Sequence, residues 1–260
     1  MVYIIKIGGN IIDDSAALGR FIHEFVRVPG KKILVHGGGK IATQLAADLG
    51  IPAQLVDGRR ITDEATLRVV TMVYAGLVNK HIVALLQAAG NNAIGLSGAD
   101  GNAIRAVKRP VRQIDYGFAG DLPDDAVNTE SLKAFLEAGF TPVFSAITHD
   151  GSGQLLNTNA DTIASALAVA LAAEYKTALV YCFEKKGVLR DVNDAGSVVR
   201  EIREPDVEAL IRDGVVAGGM IPKLHNAFDA INRGVSEVFV GHADELGSLQ
   251  THVFGTRMLK

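Results

Sequence analysis

Two glycine clusters each close an apolar run: Lys6-Ile7-Gly8-Gly9-Asn10 and His36-Gly37-Gly38-Gly39-Lys40. Glycine lets backbone N–H groups come close to phosphate or carboxylate oxygens. One such cluster is also what a tight turn looks like. Two of them, each followed by a helical pattern, point to an anion site. The order G-x-x-x-x-G-K-[ST] is absent, and so is G-x-G-x-x-G after the first run, which argues against a P-loop and a dinucleotide-binding domain. Lys6 ends a buried-looking strand, where an ammonium is costly unless it snorkels to the rim or meets an anion, such as a transferring phosphoryl group. Lys223 follows Gly218-Gly219-Met220-Ile221-Pro222 in the first turn of a helix, the positive end of the helix dipole. A bound polyphosphate would account for the lysine and the glycines together. Asn157-Thr158-Asn159-Ala160-Asp161 opens an apolar helix. Capping explains Asn159 and the dipole suits Asp161, but neither explains Asn157. Arg60, within Gly58-Arg59-Arg60-Ile61-Thr62, can fork a carboxylate. His36 abuts the glycines and reads as a residue that holds the loop, not as a base.

The elements that must position these groups alternate in type. Strands are expected at 2–7 and 33–35, each ending in glycines. A helix capped by Asp13 or Asp14 carries Leu18, Phe21, Ile22, Phe25 and Val26 on one face. A further βα step runs through the helix before Gly50, and 63 to about 90 reads as long helical material with a possible break at Gly76. Strands follow at 93–96 and 142–145. Between them, 104 to about 121 looks like charged, projecting hairpins, and a helix bearing Leu132, Phe135 and Leu136 stops at Gly139. The second half offers a helix at 160–173, strands at 177–183, 198–202 and 235–240, a helix started by Pro205 and a last long helix opened by Pro222. This is the pattern of a mostly parallel sheet flanked by helices, whose ligands sit at the C-terminal ends of the strands.

Composition narrows the class. The chain has 260 residues, 48% hydrophobic, and a formal net charge of -3. That is enough for one large α/β unit or two joined lobes with a packed core. No Lys/Arg run forms a stripe for a nucleic acid; the densest sets are Lys31-Lys32 and Arg105, Lys108, Arg109 and Arg112. The single cysteine, Cys182, excludes an internal disulfide and a thiol metal cluster. The apolar stretch after Met1 is too short for a signal segment or a membrane span, so a cytoplasmic protein is expected.

Taken in order, these segments resemble the amino acid kinase family over essentially the whole chain. The arginine segment at 58–62, the N-x-N-A-D run at 157–161, the late lysine motif at 218–223 and the closing Gly255-Thr256-Arg257-Met258 are similar to those of its acetylglutamate kinase branch. The resemblance implies an α/β fold, a three-layer αβα sandwich with a mostly parallel central sheet. Residues 1–173 would form an N-terminal lobe for the acylated amino acid and dimerisation, and 174–260 a C-terminal lobe for ATP. The implied activity is ATP-dependent phosphorylation of the γ-carboxylate of N-acetyl-L-glutamate in arginine biosynthesis, with Mg2+ held mainly by the nucleotide phosphates. Lys6 and Lys223 would stabilise the transferring group, with Asp161 holding both. Gly38, Gly39, Arg60 and Asn157 would grip the substrate, and Gly9 would line the phosphoryl path. Glu184, Lys185, Lys186, Gly187, Val188, Leu189, Gly218 and Gly219 would contact the nucleotide.

One departure is the run Cys182-Phe183-Glu184-Lys185-Lys186-Gly187, which replaces a small or acidic run and resembles the bacteroidete version of the enzyme. There the arginine pathway is thought to use succinylated intermediates. N-succinyl-L-glutamate is therefore an alternative substrate, with Arg105, Lys108, Arg109 and Arg112 as candidate cations for the extra carboxylate. The same residues are also compatible with a sibling kinase for another small carboxylate, or with a nucleotide-binding regulator that lacks catalysis. The resemblance also implies a homodimer, with the helix between 63 and 90 as a candidate face. Arginine-inhibited relatives carry an extra N-terminal helix; here Met1 runs directly into the first strand, so insensitivity to arginine is expected.

Overall fold

Near-continuous apolar runs form strands buried on both faces, as parallel sheets require. In the computed structural model, which describes all residues except 57, 192, 217–219 and 252 and the side chain of Pro222, the strands are β1 Val2–Ile7, β2 Lys31–His36, β3 Leu55–Val56, β4 Arg59–Arg60, β5 Ala93–Leu96, β6 Val107–Lys108, β7 Ala119–Asp121, β8 Thr141–Ser145, β9 Ile147–His149, β10 Leu155–Thr158, β11 Thr177–Phe183, β12 Glu201–Arg203, β13 Glu237–His242 and β14 Thr256–Leu259. The helices are α1 Gly9–Ile12, α2 Ser15–Arg27, α3 Gly39–Asp48, α4 Glu64–Val70, α5 Asn79–Ala88, α6 Thr129–Glu137, α7 Ala160–Ala172, α8 Val207–Arg212 and α9 Met220–Asn232.

Eight strands make the main sheet in the order β12-β14-β13-β11-β1-β2-β8-β5, parallel except where β13 meets β14. Helices α6, α7 and α9 cover one face; α2, α5 and the 3-10 segment Ala243–Thr251 cover the other. This is the expected three-layer αβα arrangement. β1 lies between β2 and β11, so the main sheet runs without a break across the sequence position of residue 174. A second sheet, β6-β7-β10-β9, carries the projecting hairpins, and β10 pairs with β7 through Asn157 and Ala119.

Local chemistry sets the element ends. Asp14, and not Asp13, caps α2 through the N–H groups of Ala16 and Ala17. The strand expected at 198–202 lies at Glu201–Arg203, and the last helix begins at Met220, two residues before Pro222. The helical material from Glu64 to Ala88 is continuous, but its centre, Thr71–Val78, is a π-helical stretch around Gly76. It is long and apolar enough to cross a membrane. In this fold it is a core helix: Leu67, Val70, Val73, Val78, Ile82 and Leu86 are buried, while Met72 and Leu77 face outward.

Candidate active site

Both glycine clusters leave the C-terminal ends of adjacent strands and open helices α1 and α3. A cavity of about 460 Å³ lies beside them, lined by Lys6, Gly9, Gly37, Gly38, Gly39, Lys40, Thr43 and Arg60 among others. It continues into a cavity of about 190 Å³ lined by the same glycines, Arg60, Tyr74, Ala119 and Asn157. A Cβ at Gly8 or Gly37 would meet nothing within 4 Å. Gly38 differs: its φ is +153°, and a Cβ there would lie 2.9 Å from the Tyr74 ring. The π-helical stretch thus seats Tyr74 directly under the glycine loop.

Buried His36 holds that loop. Asn79 is 1% exposed, and its amide Nδ2 donates to the Val143 carbonyl at 2.8 Å, which fixes the amide's orientation. The same Nδ2 lies 3.0 Å from His36 Nε2, so Nε2 accepts. The ring proton therefore sits on Nδ1, which donates to the Gly37 carbonyl at 2.8 Å. In a trans peptide C=O and N–H point opposite ways. Drawing the Gly37 carbonyl toward the His36 ring turns the Gly38 N–H the opposite way, away from that ring. Burial pushes the imidazole down to about 4, so it stays neutral at pH 7.

At one end of the cleft Lys6 Nζ lies 2.7 Å from Asp161 Oδ1, an ionic contact without the alignment of a directed hydrogen bond. Asn159 caps α7 by accepting from the N–H groups of Asp161 and Thr162, which sets Asp161 in the first turn. Lys223 comes to the same place from α9. Burial lowers its pKa, opposed by the Asp161 charge. Asp161 is in ionic contact with Lys6 and its charge also acts on Lys223, whose Nζ lies 3.9 Å from the centre of the Phe183 ring.

At the other end Arg60 Nη2 donates to the Gly39 carbonyl at 2.9 Å and to Thr43 Oγ1 at 2.7 Å. Its Nη1 is buried with no partner among the described residues. A buried cationic N–H left unpaired is costly, and a ligand oxygen would satisfy it. Asn157 Nδ2 donates to Thr62 Oγ1 at 3.0 Å.

The nucleotide segment is placed less uniformly. Glu184 and Lys185 are exposed, and the Glu184 charge acts on Lys223. Lys186 pairs with Glu245 at 3.1 Å, on a separate surface cavity. Gly187 and Val188 are buried, with the Val188 N–H donating to Thr256 Oγ1, so only backbone or Leu189 could face a ligand there. Gly218 and Gly219 lie outside the described residues. Arg109 pairs with Asp121 and Arg105 with Asp125; Lys108 lies over Phe118. Arg112 lines a separate cavity with Arg109, and none of the four is among the residues lining the cavities beside Arg60 and Asn157. Tyr74, Thr43 and Phe183 are site residues that the sequence did not single out. The only signals they left were Gly76 in an apolar helix and an aromatic residue at a strand end.

A sequence profile of the amino acid kinase family matches residues 1–242. The chain belongs to the amino acid kinase family. Within it, the chain is 54% identical to the acetylglutamate kinase of Bacteroides thetaiotaomicron over 257 residues, covering 99% of this chain and 98% of that protein. It is 53% identical to the acetylglutamate kinase of Cytophaga hutchinsonii, with the same coverage of both. Among solved structures it superposes on the Streptococcus mutans protein smu.665 with a TM-score of 0.78 at 29% identity, covering 99% of this chain and 98% of that one. The Giardia lamblia carbamate kinase bound to AMP-PNP shares the fold, with a TM-score of 0.69 at 14% identity over 100% and 98% of the two chains.

Proposed function

We propose that this chain is an acetylglutamate kinase that phosphorylates the γ-carboxylate of N-acetyl-L-glutamate with ATP in arginine biosynthesis. A carboxylate oxygen attacks the γ-phosphorus, the bond to the β–γ bridging oxygen breaks, and an acyl phosphate and ADP leave. The observation that carries this reading is one cleft with two lysines and Asp161 at one end and an arginine with an unpartnered, buried Nη1 at the other. The acceptor is already ionised at neutral pH, so no general base is required. Catalysis is positioning and neutralisation of charge in a loose transition state. Lys6 and Lys223 supply the charge, and Asp161 holds Lys6. The N–H of Gly38, turned away from the His36 ring, and Gly9 line the path of the transferring group. Arg60 takes the substrate's α-carboxylate, and Asn157 its amide-bearing end.

ATP would lie against the segment from Glu184 to Leu189 and the glycines before α9. Mg2+ would be carried mainly by the nucleotide phosphates, where it neutralises developing charge. Residues 1–173 serve as the lobe for the acylated amino acid and 174–260 as the lobe for ATP. Cleft residues from 6 to 160, met by Lys223 from the second lobe, support that division. The outward-facing Met72 and Leu77 suit a homodimer face. A cytoplasmic enzyme of small metabolites goes with the reading. The test is turnover with ATP and N-acetyl-L-glutamate, measured by trapping the acyl phosphate with hydroxylamine. Turnover with ATP but only on a different carboxylate would replace the substrate and keep the kinase. No turnover on any carboxylate would remove both.

A further inference from the structure

The two lysines at the head of the cleft are held differently, and one of them lacks a carboxylate partner. Lys6 has Asp161. Among the described residues no carboxylate lies within ion-pair distance of Lys223, although its ammonium is half-buried beside a second cation and near the positive end of α9. What it has instead is Phe183. The ring centre lies 3.9 Å from Lys223 Nζ and 5.7 Å from Lys6 Nζ. The ring is fixed in turn: it ends β11 and stacks on Tyr181 with centroids 6.3 Å apart. Tyr181 is the registered neighbour of Lys6 across β1 and β11. Lys6, Tyr181 and Phe183 therefore share one face of the sheet.

We propose that Phe183 is a positioning residue for the phosphoryl-transfer site, its ring face holding the ammonium of Lys223, and more weakly that of Lys6, by a cation–π interaction. The proposal rests on the catalytic reading of the two lysines given above. An aromatic face attracts a cation through its quadrupole. A carboxylate in the same place would hold the lysines too, but it would repel the incoming phosphates. The ring holds them while bearing no net charge, and yields them to the phosphoryl oxygens without an anion left behind.

Fluorination tests this with almost no change in shape. Phenylalanine carrying one, two or three ring fluorines, placed at position 183 alone by stop-codon suppression, weakens the quadrupole stepwise. With both substrates saturating, kcat should fall at each step, by about three- to thirtyfold in total, the span that cation–π strengths allow. Thermal midpoints should stay constant. Phe183→Trp should keep activity, and Phe183→Leu should lose at least as much as the trifluoro protein. Independently of turnover, the Lys223 ε-methylene protons should show an upfield ring-current shift in the NMR spectrum that Phe183→Leu abolishes. A flat fluorine series, or Lys223 protons at ordinary positions, overturns the proposal. The two levels separate cleanly. If Lys6→Ala and Lys223→Ala abolish turnover while the fluorine series is flat, only the role of the ring fails. If those alanine variants stay active, the catalytic reading itself fails.

Discussion

Arg60→Lys keeps the charge and removes the fork. In the free protein one arm of the guanidinium, Nη2, is used on the Gly39 carbonyl and Thr43 Oγ1. The other, Nη1, is buried and unpartnered. A single ammonium cannot hold the loop and reach a ligand at once. A hydrogen bond to a charged group contributes about 1.5–3 kcal/mol. At about 1.4 kcal/mol per decade, the Michaelis constant for acetylglutamate should rise about ten- to a hundredfold. Turnover at saturation should change by less than about threefold, because this contact forms equally in ground and transition states. The constant for ATP should not move. A binding measurement without chemistry checks the same number. At a ligand concentration of about a hundred times the wild-type dissociation constant, the wild-type protein gains about 2.7 kcal/mol of stability. A variant binding about a hundredfold more weakly gains only about 0.4 kcal/mol at that concentration. An unchanged Michaelis constant together with an unchanged ligand-induced thermal shift would refute the assignment of Nη1 to the substrate.

Lys6→Ala and Lys223→Ala should each lower kcat by about a hundredfold or more, the scale of one preorganised charge donor, with acetylglutamate binding by calorimetry changed far less; near-normal turnover in either would sink its role. Asp161→Asn should lose activity by releasing Lys6, without a new acidic limb in the pH–rate profile; such a limb would mean proton transfer instead of organisation. The ring of His36 should carry its proton on Nδ1 in a long-range nitrogen–proton NMR spectrum, and Asn79→Ala should shift the tautomer and lower kcat. An Nε2–H tautomer in the wild-type protein contradicts the geometry outright. Burial places the His36 pKa at about 4, below its ordinary 6.5. Between those values the unfolded chain binds a proton that the folded chain refuses. Its contribution to stability is therefore present above about pH 6.5 and is lost as the pH falls toward about 4. Urea titrations should show a flatter curve across that window for His36→Gln, and an identical acid limb in both proteins would count against a buried neutral imidazole.

The layers of the fold were legible because the main strands are buried on both faces and read as unbroken apolar runs. β1, β5 and β11 fall where the residues place them. The second sheet was not legible as a sheet. β9 and β10 are short and half polar, and their sheet joins Asn157 to Ala119, far apart along the chain. That register has consequences for the site. Asn157 reads from sequence as an unexplained polar group before a helix. In the structure it belongs to a strand whose partner supplies the small wall of the cleft.

Glycine loops announce themselves, since their composition is their function, and the lysines were visible as cations in places that disfavour them. What supports these groups leaves no such mark. Asn79 is a polar residue inside an apolar helix, and only the Val143 carbonyl, 64 residues away, reveals which way its amide points. From that one bond follow the acceptor role of His36 Nε2, the proton on Nδ1 and the direction of the Gly38 N–H. Gly95 completes the set, because a Cβ there would meet Asn79 Oδ1 at 2.0 Å. The glycine that matters to the loop's chemistry in this indirect way lies on the edge strand, not in either cluster. Chemistry that acts through a side chain's type can be read from spacing. Chemistry that acts through the orientation of a peptide plane is fixed by tertiary contacts, and becomes visible only when the strands and the π-helical stretch are brought together.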